Sequence, residues 1–193
     1  MNTDPAKTRT PRERILDAAG TLFLRDGFRA VGIDTIIAQS GVAKMTLYRH
    51  FPSKDDLIVA YLEQSNVGFW GWFECTLNQA TSSREKLLAL FVAIGTMAAQ
   101  PTCFGCTFQS AAAEFPSLDH PGHRTALAHK HAVIARLCEL AESAGAREPQ
   151  VLAEQLLLLM DGAFIAARMF GISSPAAHTA AAARALIDAQ ILR

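Results

Sequence analysis

The sequence predicts an all-α fold of about nine helices, with an N-terminal three-helix helix-turn-helix head and a larger C-terminal helical body. Three observations carry that prediction. Apolar residues recur at helical spacing along most of the chain. Capping residues, prolines and glycines punctuate it at helix-length intervals. No alternating strand pattern occurs in the 193 residues, nor any internal repeat or low-complexity linker.

Each helix has its own signal. Thr10-Pro11-Arg12-Glu13 opens the first: Thr10 can cap, Glu13 can reach back, and Pro11 suits the first helical position. Ile15, Leu16, Ala19, Leu22 and Phe23 keep helical spacing up to Gly27. Gly32 stands at the start of the second, short helix, on which Ile33, Ile36 and Ile37 form an apolar side ending at Ser40. A third runs from near Ala43 to about His50, stopped by Pro52. Ser53 caps a fourth to about Leu77, with Asp55 and Asp56 favourably placed at its positive end and Gly68 and Gly71 as weak points. The Ser82/Glu85 pair opens a fifth, from Arg84 to about Ala99. A sixth is expected from about Phe104 to Phe115, a long seventh from the Asp119–Gly122 break to about Ala144, an eighth from Pro149 through Phe170, and a ninth from Ser174-Pro175 to near the end.

The second and third helices carry the chemistry. Gly41 stands where a tight turn between helices needs a residue free to take positive φ. Val42, Leu47 and Phe51 can pack inward, Leu47 and Phe51 being four apart on one face. Lys44, Met45, Thr46, Arg49 and His50 remain on the other side. That face can donate to phosphates and base edges. Lys44, Met45, Thr46 and Arg49 are candidate base readers: Arg49 suits guanine, and Met45 a thymine methyl.

The stretch Gly41-Val42-Ala43-Lys44-Met45-Thr46-Leu47-Tyr48-Arg49-His50-Phe51-Pro52-Ser53-Lys54-Asp55-Asp56-Leu57 resembles the recognition-helix signature of the TetR/AcrR family of bacterial transcriptional regulators. Ile15 to Ala19 and Leu22-Phe23 through Gly27-Phe28 resemble that family's first helix, so the likeness covers roughly residues 10 to 62. The resemblance implies a double-stranded DNA operator as partner, with Tyr48 and Lys54 at the phosphate backbone. Gly32 departs from the family's usual Thr or Ser and lacks a hydroxyl for phosphate. It further implies residues 1–54 as arm and DNA-binding domain, and 55–193 as a ligand-binding and dimerisation domain. The family's homodimer is a bundle of the last two helices, so the stripe Leu152, Leu156, Leu159 and Ala163 is the expected dimer surface, with intramolecular core as the alternative. An effector pocket between helices four and eight is expected from Phe69, Trp72, Phe73, Phe91, Met97, Phe104, Phe108 and Phe164, although aromatics at helical spacing also make plain core. A mostly apolar pocket of this kind suits a small hydrophobic molecule. The implied activity is repression relieved by that ligand, in the cytoplasm.

Cys103-Phe104-Gly105-Cys106 offers two other readings. Gly105-Cys106 near the start of the sixth helix is similar to branches of the family that sense oxidants or electrophiles, and a helix N-terminus favours a reactive thiol. The rival from another class is a helical thiol oxidoreductase centred on Cys103 and Cys106, but the βαβ context usual for a redox CxxC pair is absent. No Ser/His/Asp order, phosphate-cradling glycine loop or HExxH helix points to other catalysis, and no cofactor is expected. His120, His123, His129 and His131 crowd near Asp119, yet His129 and His131 are two apart and leave a helix on different sides. They read as a solvated helix start rather than a metal site.

Net charge is zero, but residues 1–54 hold nine Lys/Arg against five Asp/Glu while residues 55–193 hold nine against thirteen. A basic head on a slightly acidic body fits a DNA module joined to a non-DNA module. Met1 to Thr10 is polar, unlike a signal peptide, and reads as an arm whose Lys7 and Arg9 could add phosphate contacts. Even Val151 to Phe170 contains Glu154, Asp161 and Arg168, so no membrane partner is expected.

Overall fold

The computed structural model describes residues 9–191, apart from the side chain of Ile172. The expected arm, including Lys7, lies outside the described residues except at its end, where Arg9 pairs with Asp17 at 2.6 Å. Nine α-helices and no strand occupy the described residues: α1 (Pro11–Asp26), α2 (Ile33–Ser40), α3 (Lys44–His50), α4 (Lys54–Leu77), α5 (Ser83–Ala98), α6 (Thr107–Glu114), α7 (Pro121–Ser143), α8 (Pro149–Phe170) and α9 (Thr179–Gln190).

Three helices open with reciprocal capping boxes. Thr10 and Glu13 start α1, Ser53 and Asp56 start α4, and Ser82 and Glu85 start α5. Each cap satisfies amides that the first helical turn leaves free, contributing about 1 kcal/mol. α4 passes Gly68 and Gly71 without a break. α6 begins later than the sequence suggests: Gly105 has φ +89° and Cys106 is extended, so the helix starts at Thr107. Pro175–His178 forms a short 3-10 turn, which delays α9 to Thr179.

Two cores divide the molecule. The head core joins Ile15, Leu22, Phe23, Phe28, Ile36, Leu47 and Phe51 from the first three helices. It also takes Leu57, Ile58, Tyr61 and Leu62 from α4, and Phe108, Ala111, Phe115 and Ala126 from α6 and α7. The N-terminal half of α4 and all of α6 therefore bind the head to the body. The body core centres on α8, which packs on α5, α7 and α9. With a mean hydropathy of 1.4 over its most apolar window, α8 is long and apolar enough to cross a membrane by length and composition. Here Leu152, Leu156, Met160 and Phe164 bury into the body instead.

Candidate nucleic-acid interface and internal cavity

The turn between α2 and α3 is fixed from a distance. Gly41 adopts φ +63°, a left-handed conformation, and ends α2. Arg14 of α1 donates through Nη2 to Ser40 O at 2.6 Å and Gly41 O at 2.8 Å. These bonds satisfy carbonyls that the end of α2 leaves free. Leu47 and Phe51 anchor α3 in the head core, and the Arg12 guanidinium lies 5.4 Å over the Phe51 ring. No local pattern signals Arg12 or Arg14, because their partners lie more than 25 residues away.

With Leu47 held inward, α3 presents its opposite side to solvent. Met45 is 81% exposed, Lys44, Tyr48 and Arg49 are exposed, and Thr46 is half-buried. Met45, Thr46, Tyr48 and Arg49 line one shallow concavity. Lys44 lies 3.3 Å from Asp34, an exposed pair that contributes little and can yield to a stronger anion. His50 is half-buried, its ring centroid 6.4 Å from that of Phe51. Lys54 is also half-buried and donates to Arg29 O at 3.4 Å. Burial lowers its pKa, while the charges of Glu114 and Asp55 act in the opposite direction.

Glu114, which sequence reading passed over, closes the head onto the body. Its carboxylate accepts from Phe28 N at 3.0 Å and Arg29 N at 2.7 Å, across more than 80 residues of sequence. Gly27, with φ +92°, leaves room for the approach: a Cβ there would lie 2.9 Å from Glu114 Oε1. Arg168 of α8 adds a second tie, donating to Leu24 O at 3.3 Å and Phe104 O at 2.8 Å.

A cavity of about 280 Å³ lies between α4, α5, α6, α7 and α8. Phe69 and Trp72, Met97, Phe108, and Phe164 with Met160 form its apolar walls. Ser65, Cys106, Thr107, His129 and Lys130 supply the polar groups. Three residues expected here sit elsewhere. Phe73 and Phe91 are fully buried core beyond the lining, and Phe104, which precedes the positive-φ Gly105, is 41% exposed. Of the cysteines, Cys106 borders the cavity and Cys103 packs against the body core, half-buried; all four are free thiols.

His129 corrects the expectation of a solvated helix start. It is 5% exposed, stacks on Phe108 with centroids 3.6 Å apart, and its Nδ1 lies 2.7 Å from Asn66 Oδ1. The amide oxygen can only accept, so Nδ1 carries the proton. His131 faces solvent on the other side. Burial, and then the charge of Lys130, lower the His129 pKa from 6.5 to about 4. Between those values the unfolded chain holds a proton that the folded chain lacks. Stability present above pH 6.5 is therefore lost as pH falls towards 4. From pH 7 to 4.5, wild type is expected to lose roughly 2–3 kcal/mol more than His129→Gln in urea unfolding. Equal losses would contradict this linkage.

The expected dimer stripe is turned inward. Leu152, Leu156 and Ala163 are buried within their own chain and Leu159 is half-buried. α8 is apolar around most of its circumference, so spacing alone could not separate its inner from its outer side. The outward apolar side carries Leu158, 73% exposed, with Ile165 and Met169. Leu158, Gly162 and Ala166 also border a groove shared with Pro175, His178 and Ala182.

A buried hydrophobic anchor beneath an exposed recognition helix, on a helical body with a largely apolar, partly open cavity, defines a helix-turn-helix DNA-binding protein. Residues 15–61 match the model of the bacterial regulatory proteins of the tetR family. The crystal structure of a TetR-family transcriptional regulator from Streptomyces coelicolor is 32% identical, with a TM-score of 0.87 over 92% of this chain and 94% of that one. A TetR-type regulator structure from Streptomyces avermitilis is also 32% identical, with a TM-score of 0.85 over 94% and 98% of the two chains. The chain belongs to the TetR family and is a DNA-binding transcriptional regulator rather than an enzyme. Two curated relatives from Mycolicibacterium smegmatis match the N-terminal part. The transcriptional repressor KstR2 is 32% identical over 46% of this chain and 43% of its own length. The transcriptional activator FasR is 35% identical over 40% and 36%. The matched stretch thus spans less than half of either relative.

Proposed function

We propose that this regulator is a cytoplasmic homodimeric repressor that leaves a palindromic operator when a small, largely apolar molecule fills the cavity. Residues 1–54 act as the DNA-binding part and 55–193 as the ligand-binding and dimerising part. α3 enters the major groove, with Lys44, Met45, Thr46 and Arg49 towards the bases and Tyr48 towards phosphate. His50 and Lys54 reach DNA after small side-chain movements. Two heads on half-sites about 34–36 Å apart supply the length of contact that one head lacks.

The observation that carries the control step is the position of α6. Its first residues, Thr107 and Phe108, border the cavity, and its last, Glu114, holds the Phe28 and Arg29 amides of the head. A ligand that fits only one setting of α6 biases the head spacing, provided it prefers that setting. Repression is favoured over activation here through the resemblance to KstR2; FasR shows that a related head also serves an activator.

Gel shifts test the DNA face. Arg49→Ala is expected to cost about 1–3 kcal/mol on operator and little on random DNA, because a bidentate base contact is sequence-specific. Lys54→Ala is expected to weaken both alike. Equal losses on both DNAs for Arg49→Ala would remove its base-reading role.

A second reading is favoured by one contact. Lys130 Nζ lies 3.8 Å from Cys106 Sγ in the cavity wall, at the N-terminus of α6. As a free thiol in the cavity wall, Cys106 meets any electrophile or oxidant that enters the cavity and is the candidate sensor. Under this reading Cys106→Ser keeps its operator affinity after treatment with diamide, while wild type releases DNA. Normal release by the variant would remove Cys106 as the sensor.

A further inference from the structure

Charge and size at the cavity narrow the class of ligand. The space of about 280 Å³ lies at the small end of ligand pockets, which suits one or two rings. Phe69, Trp72, Phe108 and Phe164 give it flat aromatic walls. Among the described residues lining it, Lys130 is the one with a formal charge, and none is acidic.

Around Lys130 and the start of α6 the cavity holds more donors than acceptors, with neutral His129 as the strong acceptor in the lining. Lys130 pairs with Asp161 on one side, which holds the ammonium in place. An ammonium has three donors. On the cavity side its neighbour is the Cys106 sulfur at 3.8 Å, a weak acceptor. α6 begins beside it, and Cys106 as N-cap contributes no side-chain hydrogen bond. The amides of the first turn therefore lack intrahelical partners and carry the positive end of the helix dipole. In the same wall the Thr107 hydroxyl oxygen is buried without a hydrogen-bond partner.

We infer that the cavity takes a small aromatic acid, with its rings among Phe69, Trp72 and Phe164 and its carboxylate between Lys130 and the start of α6. This rests on the reading of the cavity as the effector site. The carboxylate would replace the weak sulfur acceptor with two strong ones, and charge-assisted bonds offset its loss of water. A cationic group would meet Lys130 and the helix N-terminus with no acidic residue in the lining to receive it.

The test uses three probes with one ring system: 2-naphthoate, 2-naphthalenemethanol and 2-naphthylmethylammonium. Calorimetry without DNA measures their binding to the full chain. Naphthoate is expected to bind at least about ten-fold tighter than the alcohol, and the ammonium weakest. In the charge-free pair Lys130→Met/Asp161→Asn, the advantage of naphthoate over the alcohol is expected to shrink to the smaller part that the α6 amides supply. The wild-type ranking decides the matter even if that variant does not fold. Equal binding of all three, tightest binding of the ammonium, or no binding at millimolar concentration would overturn the proposal. So would a preference for naphthoate that is undiminished in the folded double variant. A naphthoate that binds as expected yet leaves operator affinity unchanged supports the ligand class and removes the effector reading instead.

Discussion

Glu114→Ala is expected to lower stability by about 1.5–3 kcal/mol and the melting temperature by roughly 3–12 °C. The carboxylate accepts two backbone amides, Phe28 N and Arg29 N, at 3.0 and 2.7 Å. Phe28 is fully buried, so removing the acceptor leaves a donor with little access to water. The local effect should exceed the global one. Amide hydrogen exchange at Phe28 and Arg29 is expected to lose protection while α8 keeps it. Under the proposed coupling, the variant also binds operator with an affinity that no longer responds to a cavity ligand. Glu114→Gln retains one acceptor and should fall between. Unchanged protection at Phe28 and Arg29 would contradict the role of Glu114 as the clasp between head and body.

Leu158→Glu is expected to convert a dimer into monomers and to reduce operator affinity by about 10²-fold or more, since linked heads gain avidity that single heads lack. Leu158 is 73% exposed, so the substitution should change the fold of one chain by no more than about 0.5 kcal/mol. Leu156→Glu, by contrast, buries a charge in the body core and should unfold the chain. Sedimentation of Leu158→Glu distinguishes the cases. A persistent dimer would place the interface away from this side of α8.

Local chemistry was legible in the sequence, and long-range chemistry was not. The Thr10/Glu13 and Ser82/Glu85 boxes, the Gly41 turn and the Leu47/Phe51 anchor each involve residues four or fewer apart, so spacing alone identifies them. The inner and outer sides of α8 look alike in sequence, so spacing leaves Leu152, Leu156 and Ala163 open to both a dimer-surface and a core reading. Phe104 followed the aromatic pattern, but positive φ at Gly105 redirects the chain beside it. Arg14, Glu114 and Arg168 act across 26 to 144 residues, and nothing local marks them. The histidines crowded about Asp119 suggest a solvated helix start for His129, although Ala126 and Val133, three before and four after it, mark the buried face of α7. The burial of His129 comes from Phe108 and Asn66, which tertiary packing alone brings to it.

The central claim is sequence-specific DNA binding by a dimer through α3. Its most direct test is a footprint of the purified protein on DNA upstream of its own gene, at two salt concentrations, with random DNA as competitor. The expected result is a palindromic protected region that survives the competitor and weakens steeply as salt rises. Failure to exceed random DNA there, together with no enriched sequence in a genome-wide selection of bound fragments, would contradict it.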